Sequence, residues 1–277
     1  MAAPIPVPLT GPFDINDIKK AFPSTNKNNL GGYVGKDWYK PSDGSTGTFT
    51  RPIKDSDFRG KMEAYSFHIT ADTYNIDLLT EYQKRGLPYT KGKTAIICYV
   101  DSGVKVGSTS ASSASFIIQN LTASDAVTLI NNGLIIGCGG NGSDSGGGGN
   151  GGTALQISYP TKVVNNGTLA GGGGGGGGGA PGHHYVGWAC SEQWYNGGSG
   201  GGGAGFNPGA VGGATTYTGG SPTTAGDNTT GGYGGNLGQN GNPSYYGGGT
   251  RGSYIVGSAN ITGGIGSVGG TKIGSYS

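Results

Sequence analysis

An uninterrupted run of nine glycines, at positions 171–179, constrains the fold of this chain more than any other feature. Glycine loses more backbone freedom on folding than any other residue, so such a run in water is normally a flexible linker. Further glycine runs follow, however, and they are separated by segments that carry tryptophan, tyrosine and phenylalanine. Left-handed helices with three residues per turn suit these runs, because helices without side chains approach closely enough to hydrogen-bond to one another. We therefore expect a C-terminal bundle of polyglycine-II-type helices with aromatic loops.

Composition divides the chain into three parts. Glycine accounts for 64 of the 277 residues, mostly after position 132, whereas most charged residues precede position 111. Only 33% of the residues are hydrophobic, so a single conventional core across the whole chain is not expected. We predict a small docking module over residues 1–60, a mixed α/β and mainly β domain over 61–132, and a glycine-rich tip domain over 133–277.

Residues 1–60 contain the pattern of one short helix. Asp14 and Asp17 have the spacing of a capping box, and Pro23 ends the helical pattern. A helix of this length does not fold alone, so its apolar face needs a surface. Either an aromatic cluster further along the chain or a partner protein can supply that surface. The residues that we expect to dock are Phe13, Ile15, Ile18, Phe22, Trp38 and Tyr39.

Residues 61–132 carry the patterns of a conventional domain. Residues 65–70 alternate like a strand, and residues 94–100 and 115–121 are compact β-branched runs typical of buried strands. Residues 74–86 have helical spacing, with Gly86 as the C-terminal cap. His68 lies in the first strand pattern, and we expect it to be structural rather than a ligand.

A near repeat crosses the boundary between the second and third parts. The motif Asn-Asn-Gly at residues 131–133 is echoed at residues 165–167, an offset of 34 residues from position 131 to position 165. Asn-Gly is a strong turn signal, because both residues tolerate a positive φ. Two copies at a fixed offset indicate successive coils of a solenoid-like β structure that feeds into the glycine segments.

Catalytic and metal-binding motifs do not stand out in the sequence. The three cysteines, Cys98, Cys138 and Cys190, match no paired-cysteine motif, so we expect buried free thiols. The adjacent His183 and His184 have too few Cys, Asp or Glu neighbours to complete a metal shell. No nucleophile elbow, phosphate-binding loop or pair of carboxylates is recognisable. We therefore predict no enzyme, no cofactor and no bound metal.

The charge and the N-terminus bear on partners and location. A net charge of +2 gives no indication of a nucleic-acid partner. The N-terminus has neither a basic start nor an apolar run long enough for a signal peptide, and no segment approaches about 18 uninterrupted apolar residues. We expect a soluble protein that is made in a cytoplasm.

The order of these segments resembles a known family. NNGLIIGCGGNG at residues 131–142, VVNNGTLAGGGGGGGGG at 163–179 and the alternating glycine runs and aromatic loops that follow resemble the receptor-recognising adhesins at the tips of long tail fibres in T-even-like phages. The N-terminal FDINDIKKAF and LGGYVGKDWYK look like a short module of phage virion proteins. The first 60 residues differ from the Trp-rich attachment domain expected of long-fibre adhesins, which leaves another tail or baseplate position open.

This resemblance implies a place and partners for the chain. It implies a stack of polyglycine helices whose loops, at one end, contact an outer-membrane protein or lipopolysaccharide of the host. It also implies a location at the distal tip of the phage tail, after synthesis in the host cytoplasm, with residues 1–60 attaching the chain to other tail proteins.

Three segments qualify as receptor-binding loops, at residues 181–196, 215–230 and 242–256. Tyrosine, tryptophan, serine, glycine and asparagine dominate them, a mixture that antibody loops use for adaptable recognition. Some of the aromatic residues have an alternative role, in covering the ends of the glycine bundle. The residues that we expect to contact a receptor are Tyr185, Trp188, Trp194, Tyr195, Tyr217, Tyr245, Tyr246 and Arg251.

Two further functions compete with the adhesin hypothesis. A non-adhesive subunit of the tail, baseplate or collar would use the glycine region as a spacer or as the shaft of a homotrimer, with its aromatic residues buried between chains. A glycine-rich ice-binding protein would need flat, threonine-bearing faces, against which the irregular loops argue. Aromatic loops clustered at one exposed end would favour the adhesin.

Overall fold

The computed structural model describes residues 4–122, 124–186, 191–195, 197–207, 215, 217–224 and 229–277, and for residues 183–186 and 191–195 it describes the backbone alone. Within these ranges two α-helices, α1 (Ile15–Ala21) and α2 (Leu78–Lys84), accompany a much larger set of β-strands. The predicted class, mixed α/β and mainly β, is therefore confirmed. Neither helix is long and apolar enough to cross a membrane.

The helix α1 begins at the predicted capping box. The Asp14 carboxylate accepts hydrogen bonds from the backbone N–H groups of Asn16 and Asp17, at 2.7 and 3.1 Å. The Asp17 carboxylate in turn accepts from the Asp14 N–H at 3.2 Å. The bonds from the Asp17 and Asn16 backbones hold the pKa of Asp14 below its ordinary value. The predicted start is confirmed, and α1 ends before Pro23.

Residues 4–63, here called the N-terminal unit, surround a small aromatic core. The unit combines α1 with an antiparallel sheet of β1 (Asp37–Lys40), β2 (Ser45–Thr48) and β3 (Met62–Glu63). Phe22 stands edge-on to Tyr33 and Phe58, with ring centroids 5.8 Å from each. The helix therefore buries its apolar face within the chain, one of the two alternatives left open by its sequence. The core consists of Val7, Ile18, Ala21, Phe22, Tyr33, Phe49 and Phe58.

From Tyr65 onward the chain winds into a β-solenoid with three parallel sheets, and each full coil gives one strand to each sheet. The first sheet contains β4 (Tyr65–Ile69), β7 (Ala95–Val100), β10 (Ala126–Asn131) and β13 (Thr161–Asn165). The second contains β5 (Thr73–Tyr74), β8 (Lys105–Gly107), β11 (Leu134–Ile136), β14 (Thr168–Ala170) and β18 (Thr271–Ile273). The third contains β6 (Ile76–Asp77), β9 (Phe116–Ile118), β12 (Leu155–Ile157), β17 (Ser253–Val256) and β19 (Ser275–Tyr276).

The Asn-Asn-Gly repeat marks two successive coils of this solenoid. β10 and β13 pair in parallel, with Asn131 opposite Asn165. The following strands, β11 and β14, also pair in parallel, with Leu134 opposite Thr168. Equivalent positions are 34 residues apart in the sequence and adjacent in space, which confirms the predicted solenoid-like repeat.

The main hydrophobic core fills the solenoid. It extends from Phe67 in the first coil to Val268, close to the last strands, and so draws on residues before and after position 132. The helix α2 packs onto the first coil, where the ring of Tyr82 lies 6.1 Å from that of Phe67. Strands β17, β18 and β19 return the C-terminal residues to the same sheets. A large part of the chain after position 110, where charged residues are few, therefore belongs to the solenoid.

The predicted strands are present, but the predicted helix over residues 74–86 is shorter. α2 begins at Leu78, because β5 and β6 pair with β8 and β9 of the next coil. Asn75 makes the corner between these two short strands, at a φ of 53°. Gly86 follows the helix at a φ of 69°, the left-handed conformation that favours glycine after a helix. Solenoid pairing has replaced the first turn of the expected helix.

The glycine-rich segments leave the solenoid at one corner, between the second and third sheets. Residues 137–154 form the shorter excursion, between β11 and β12, and residues 171–252 form the longer one, between β14 and β17. The longer excursion contains an antiparallel hairpin of β15 (Gly182–Val186) and β16 (Ser191–Tyr195). Because both excursions start from neighbouring strands, their glycine segments begin side by side.

Candidate functional site

The nine-glycine run continues directly from β14 and is hydrogen-bonded to other segments. Its first N–H, from Gly171, donates to the Ile273 carbonyl oxygen at 3.0 Å. Beyond it, every third N–H donates to the same neighbouring segment at 2.8–3.0 Å: Gly172, Gly175 and Gly178 to the carbonyl groups of Gly152, Gly149 and Gly146. The intervening N–H groups donate to two other segments with the same spacing. The run thus has a three-residue period in its contacts.

Six segments surround this run. Going round it, they are residues 138–144, 146–152, 246–252, 239–242, 231–238 and 198–204, and backbone hydrogen bonds join each to the next and the last to the first. Residues 219–223 lie outside this ring, where the Gly220 N–H donates to the Gly202 carbonyl at 2.7 Å and the Gly220 carbonyl accepts from Gly234 at 3.0 Å. We call the run, the ring and this outer segment the glycine bundle.

Four connections meet at the end of the bundle away from the solenoid, which we call the far end. They are residues 143–146, 180–196, 224–230 and 243–246. Gly178 is hydrogen-bonded to two of these connections. Its N–H donates to the Gly146 carbonyl oxygen at 3.0 Å, and its carbonyl oxygen accepts from the Tyr246 N–H at 3.1 Å. Gly179 donates to Gly198 at 2.8 Å, directly after the hairpin connection. Part of 180–196 and of 224–230 lies outside the described residues.

The far end carries most of the predicted contact residues. Tyr245 has 67% of its surface exposed, and its ring stands edge-on to that of the half-buried Tyr246, with centroids 5.0 Å apart. Ser244 fixes this turn by donating a hydrogen bond of 2.5 Å from its hydroxyl to the Thr230 carbonyl. The backbones of Tyr185, Trp194 and Tyr195 belong to the β15–β16 hairpin, whereas Trp188 lies outside the described residues.

Two predicted contact residues lie near the solenoid instead. The carbonyl of Tyr217 accepts from the N–H of Leu237 at 3.3 Å. Leu237 is buried together with Ile136, at the end of β11. Arg251 is exposed, and the next residue in the chain, Gly252, donates from its N–H to the carbonyl oxygen of Gly172 at 2.8 Å, beside the start of the nine-glycine run. The structure therefore does not bring all the predicted contact residues together.

Sequence reasoning missed one exposed aromatic residue of the bundle. Tyr233 has 56% of its surface exposed, and its carbonyl accepts from the Asn242 N–H at 2.7 Å. It is embedded in the sequence Gly-Gly-Tyr-Gly-Gly, at residues 231–235. A large aromatic residue in the middle of a glycine run was the available signal.

The predicted docking residues of the N-terminal unit differ in exposure. Ile18 and Phe22 are buried in the core of the unit. Phe13, Ile15 and Trp38 are half-buried at its edge, as is Tyr39 on the side that faces the solenoid. Of the six predicted docking residues, these four therefore keep part of their surface accessible.

The thiols and histidines form no recognisable site in the part of the chain that the structure describes. Cys98 and Cys138 are free and buried, as predicted, and burial raises the pKa of both thiols. His68 is a surface residue of β4 whose Nδ1 lies 2.6 Å from an Asp101 carboxylate oxygen. No group of three His, Cys, Asp or Glu side chains in the described ranges is arranged to hold a metal. Cys190 and the side chains of residues 183 and 184 lie outside these ranges.

Comparisons with known proteins agree with this architecture. The family model described as phage tail fibre adhesin Gp38 matches residues 64–276. No curated protein sequence matches the chain. A solved chain from the crystal structure of the gp37-gp38 adhesin tip complex of the bacteriophage S16 long tail fibre is similar, with a TM-score of 0.50 and 20% identity over 97% of this chain and 100% of that chain. Since the family model spans most of its length, this chain belongs to the phage tail fibre adhesin Gp38 family.

Proposed function

We propose that this phage tail adhesin recognises a receptor on the surface of its bacterial host through the connections at the far end of the glycine bundle. The observation that carries the proposal is the convergence of four connections around Gly178 and Gly179. An exposed aromatic pair on one of them offers a large, rigid contact area at low cost in side-chain entropy. The receptor would be an outer-membrane protein or a lipopolysaccharide of the host, and the chain would stand at the distal tip of the tail.

We also propose that the bundle is built of polyglycine-II-type helices. The three-residue period of the backbone hydrogen bonds supports this, because a helix with three residues per turn presents every third N–H to the same neighbour. Each segment bonds to its neighbours and none can order alone, since ordering costs about 1–2 kcal/mol per residue. Such a lattice would hold the far-end connections in fixed positions.

The contact residues divide by their position in the bundle. Tyr245 is the first candidate for direct contact, and Tyr246 would support its ring. Tyr233 joins the candidates as an exposed residue on the side of the bundle. Tyr217 and Arg251 would serve a receptor that reaches down the bundle. The remaining candidates belong to the hairpin connection and are Tyr185, Trp188, Trp194 and Tyr195.

The N-terminal unit is the proposed attachment to another tail protein. The similar solved chain comes from a complex of two tail fibre proteins. Two aliphatic side chains on the proline-rich N-terminal segment support an apolar docking surface here, since Ile5 is 62% exposed and Leu9 is 53% exposed. They add to the four half-buried residues predicted from the sequence. Ile18 and Phe22 would contribute by holding α1 in place.

Binding to host bacteria tests the receptor proposal. The purified chain is expected to bind intact host cells and to block adsorption of the phage that carries it. Replacement of both far-end tyrosines, Tyr245→Ala with Tyr246→Ala, should weaken both effects at least tenfold. Tyr276→Ala is the matched control, because it removes a tyrosine that is 54% exposed on the solenoid and is not among the candidate contact residues. A folded wild-type chain that neither binds nor blocks would favour a structural subunit of the tail.

Incorporation into virions tests the attachment proposal separately. Ile5→Asp with Leu9→Asp should lower the amount of the chain in purified phage particles, while cell binding by the free protein stays unchanged. Charges at these two exposed positions do not disturb the core of the unit. Normal incorporation of this variant into phage particles would mean that the attachment surface lies elsewhere on the chain.

A further inference from the structure

Asn-Gly pairs are the places in this chain where an asparagine side chain most easily loses its amide group. The backbone nitrogen of the next residue attacks the side-chain carbonyl carbon, and a glycine leaves that nitrogen unshielded because it has no Cβ. The sequence contains six such pairs. The structure describes both residues of five of them, which begin at Asn132, Asn141, Asn150, Asn166 and Asn240. These five differ in the hydrogen bonds that hold the attacking nitrogen.

The two pairs in the solenoid are held by their backbone and by their side chains. The N–H groups of Gly133 and Gly167 both donate to Asn131, the first to its side-chain oxygen at 3.2 Å and the second to its carbonyl oxygen at 3.0 Å. The side chains of the two pairs bond to each other, because Asn166 Nδ2 donates to Asn132 Oδ1 at 2.9 Å. Neither nitrogen is free to attack.

Two of the three pairs in the glycine bundle are held in the same way. The Gly151 N–H donates to the Thr250 carbonyl oxygen at 2.8 Å, and the Asn150 side-chain oxygen accepts from the Thr250 N–H at 3.0 Å. At residues 240–241 the glycine N–H donates to a carbonyl oxygen at 2.9 Å, and the asparagine side-chain oxygen accepts from the Arg251 N–H at 3.0 Å.

The remaining pair, Asn141 and Gly142, has neither restraint. Within the described ranges, the Gly142 N–H donates to no group and the exposed Asn141 side chain forms no hydrogen bond. The Asn141 carbonyl oxygen accepts from the Gly149 N–H at 2.7 Å, towards the neighbouring segment of the ring. The C=O and N–H of a trans peptide point in opposite directions, so the Gly142 N–H points away from that segment. The nitrogen and the amide that it would attack are therefore both unrestrained.

We propose that Asn141 is a modification site, at which the folded chain converts asparagine to isoaspartate and aspartate without an enzyme. The Gly142 nitrogen gives its proton to solvent base and bonds to the Asn141 Cγ. The bond from Cγ to the amide nitrogen breaks, and that nitrogen leaves as ammonia with a proton from water, which leaves a succinimide ring. Water then opens the ring at either carbonyl carbon, to give isoaspartate or aspartate. The inference is independent of the proposed receptor function.

The isoaspartate product should disturb the bundle at this point. It adds one carbon to the backbone between Gly140 and Ser143, whose N–H groups donate to the Gly173 and Gly176 carbonyl oxygens at 2.9 and 3.2 Å. These two bonds follow the three-residue period of the nine-glycine run, and a longer connection between them no longer matches it. We therefore expect hydrogen-exchange protection at Ser143 to fall as the chain ages.

Peptide mapping by mass spectrometry tests the site. The full chain is incubated in mildly alkaline buffer and digested with pepsin in acid, and loss of the amide is measured at each pair. In the folded chain we expect Asn141 to react at least about tenfold faster than Asn150 and Asn240, a ratio that corresponds to about 1.4 kcal/mol. In urea the three rates should converge. Asn141→Gln keeps an amide there but closes a ring more slowly, so it should remove the product.

Each outcome decides for or against the site. Equal rates at the three asparagines of the folded chain, or a slower rate at Asn141, would overturn the inference. A preference for Asn141 that persists unchanged in urea would overturn it too, because the local sequence and not the fold would then select the site. Aged Asn141→Gln should keep its protection at Ser143, and equal loss in the aged variant and the aged wild type would overturn the expected effect on the bundle.

Discussion

The side-chain amide of Asn131 donates a hydrogen bond to the side-chain oxygen of Asn165, 2.7 Å away and one coil further along the solenoid. Both residues are buried. The stack continues into the last coil, where Asn165 Nδ2 donates to the Gly269 carbonyl oxygen at 2.9 Å. Asn131 Oδ1 also accepts from the Gly133 N–H at 3.2 Å. Because buried amides need partners, a slip of one residue between these coils would leave several unpaired, and the stack fixes the register.

Removing one member of this stack should cost stability. Asn131→Ala leaves the Asn165 oxygen and the Gly133 N–H without these partners, so we expect a loss of about 1–3 kcal/mol in the free energy of unfolding. The control is Asn166→Ala, which breaks a similar 2.9 Å bond to Asn132 at an exposed position. That change should stay within about 0.5 kcal/mol. Chemical denaturation followed by circular dichroism measures both, and equal losses would argue against a register-fixing role for the buried pair.

A buried carboxyl group should make stability depend on pH. Glu63 is 3% exposed, and its Oε2 accepts from the Ser24 N–H at 3.0 Å and from the Tyr65 hydroxyl at 3.1 Å. Burial raises the pKa of Glu63 above its ordinary value of 4.5, so the folded chain favours the protonated form. The contribution of Glu63 to the free energy of unfolding is therefore complete when the pH is below the ordinary pKa of 4.5. This contribution is lost as the pH rises through the raised pKa of Glu63 in the folded chain.

The neutral variant Glu63→Gln should remove this dependence. We expect the melting temperature of the wild type to fall relative to that of Glu63→Gln as the pH is raised from about 4 to about 8, across the ordinary glutamate range. Thermal melts of both proteins in the same series of buffers measure the difference. A constant difference across the series would contradict the raised pKa.

Disrupting the aromatic core should unfold the N-terminal unit without unfolding the solenoid. Phe22→Ala empties a site between Tyr33 and Phe58 and should cost about 3–5 kcal/mol, enough to unfold a small unit. The solenoid has its own hydrophobic cluster and should stay folded. Limited proteolysis should therefore cut the variant within the first 60 residues and spare the rest. Phe13→Ala, at a half-buried site, should resist cleavage in this region much better.

Local patterns predicted the parts of the fold in which side chains decide the structure. The capping box of α1 and the alternation of β4 were readable because they rest on residue types at short spacing. The repeat at Asn131 and Asn165 was readable for the same reason. The return of β17, β18 and β19 to the solenoid was missed, since these strands are short and lie among glycines and serines. Their place is decided by pairing with distant strands.

The order of the segments in the bundle could not be predicted, for a physical reason. Most of their contacts are backbone hydrogen bonds, and a run of glycines carries no side chain that would identify its neighbour. The sequence therefore gives the same signal for a segment at the far end and for one near the solenoid. The sequence-based prediction therefore groups Tyr217 and Arg251 with Tyr245, whereas the structure places the first two towards the solenoid.

Adding one methyl group by a Gly→Ala substitution should change stability differently in the interior of the bundle and at its edge. A Cβ added at Gly174 would overlap the Gly249 carbonyl oxygen, whereas a Cβ at Gly247 would meet no atom within 4 Å. We expect Gly174→Ala to cost at least about 1–3 kcal/mol through overpacking against rigid backbone. Gly247→Ala should be neutral or slightly stabilising, because alanine restricts the unfolded chain.

Hydrogen exchange measures how far the damage from Gly174→Ala spreads. Each segment of the ring is held by backbone bonds to the central run and to its two neighbours, so none keeps its partners when the run is displaced. Protection should therefore fall in all of these segments together, while the solenoid strands stay protected, and binding to host cells should fall with it. Gly247→Ala should keep wild-type protection and binding. Loss of protection confined to the residues beside Gly174 would mean that the segments order independently, and would contradict a lattice that forms as one unit.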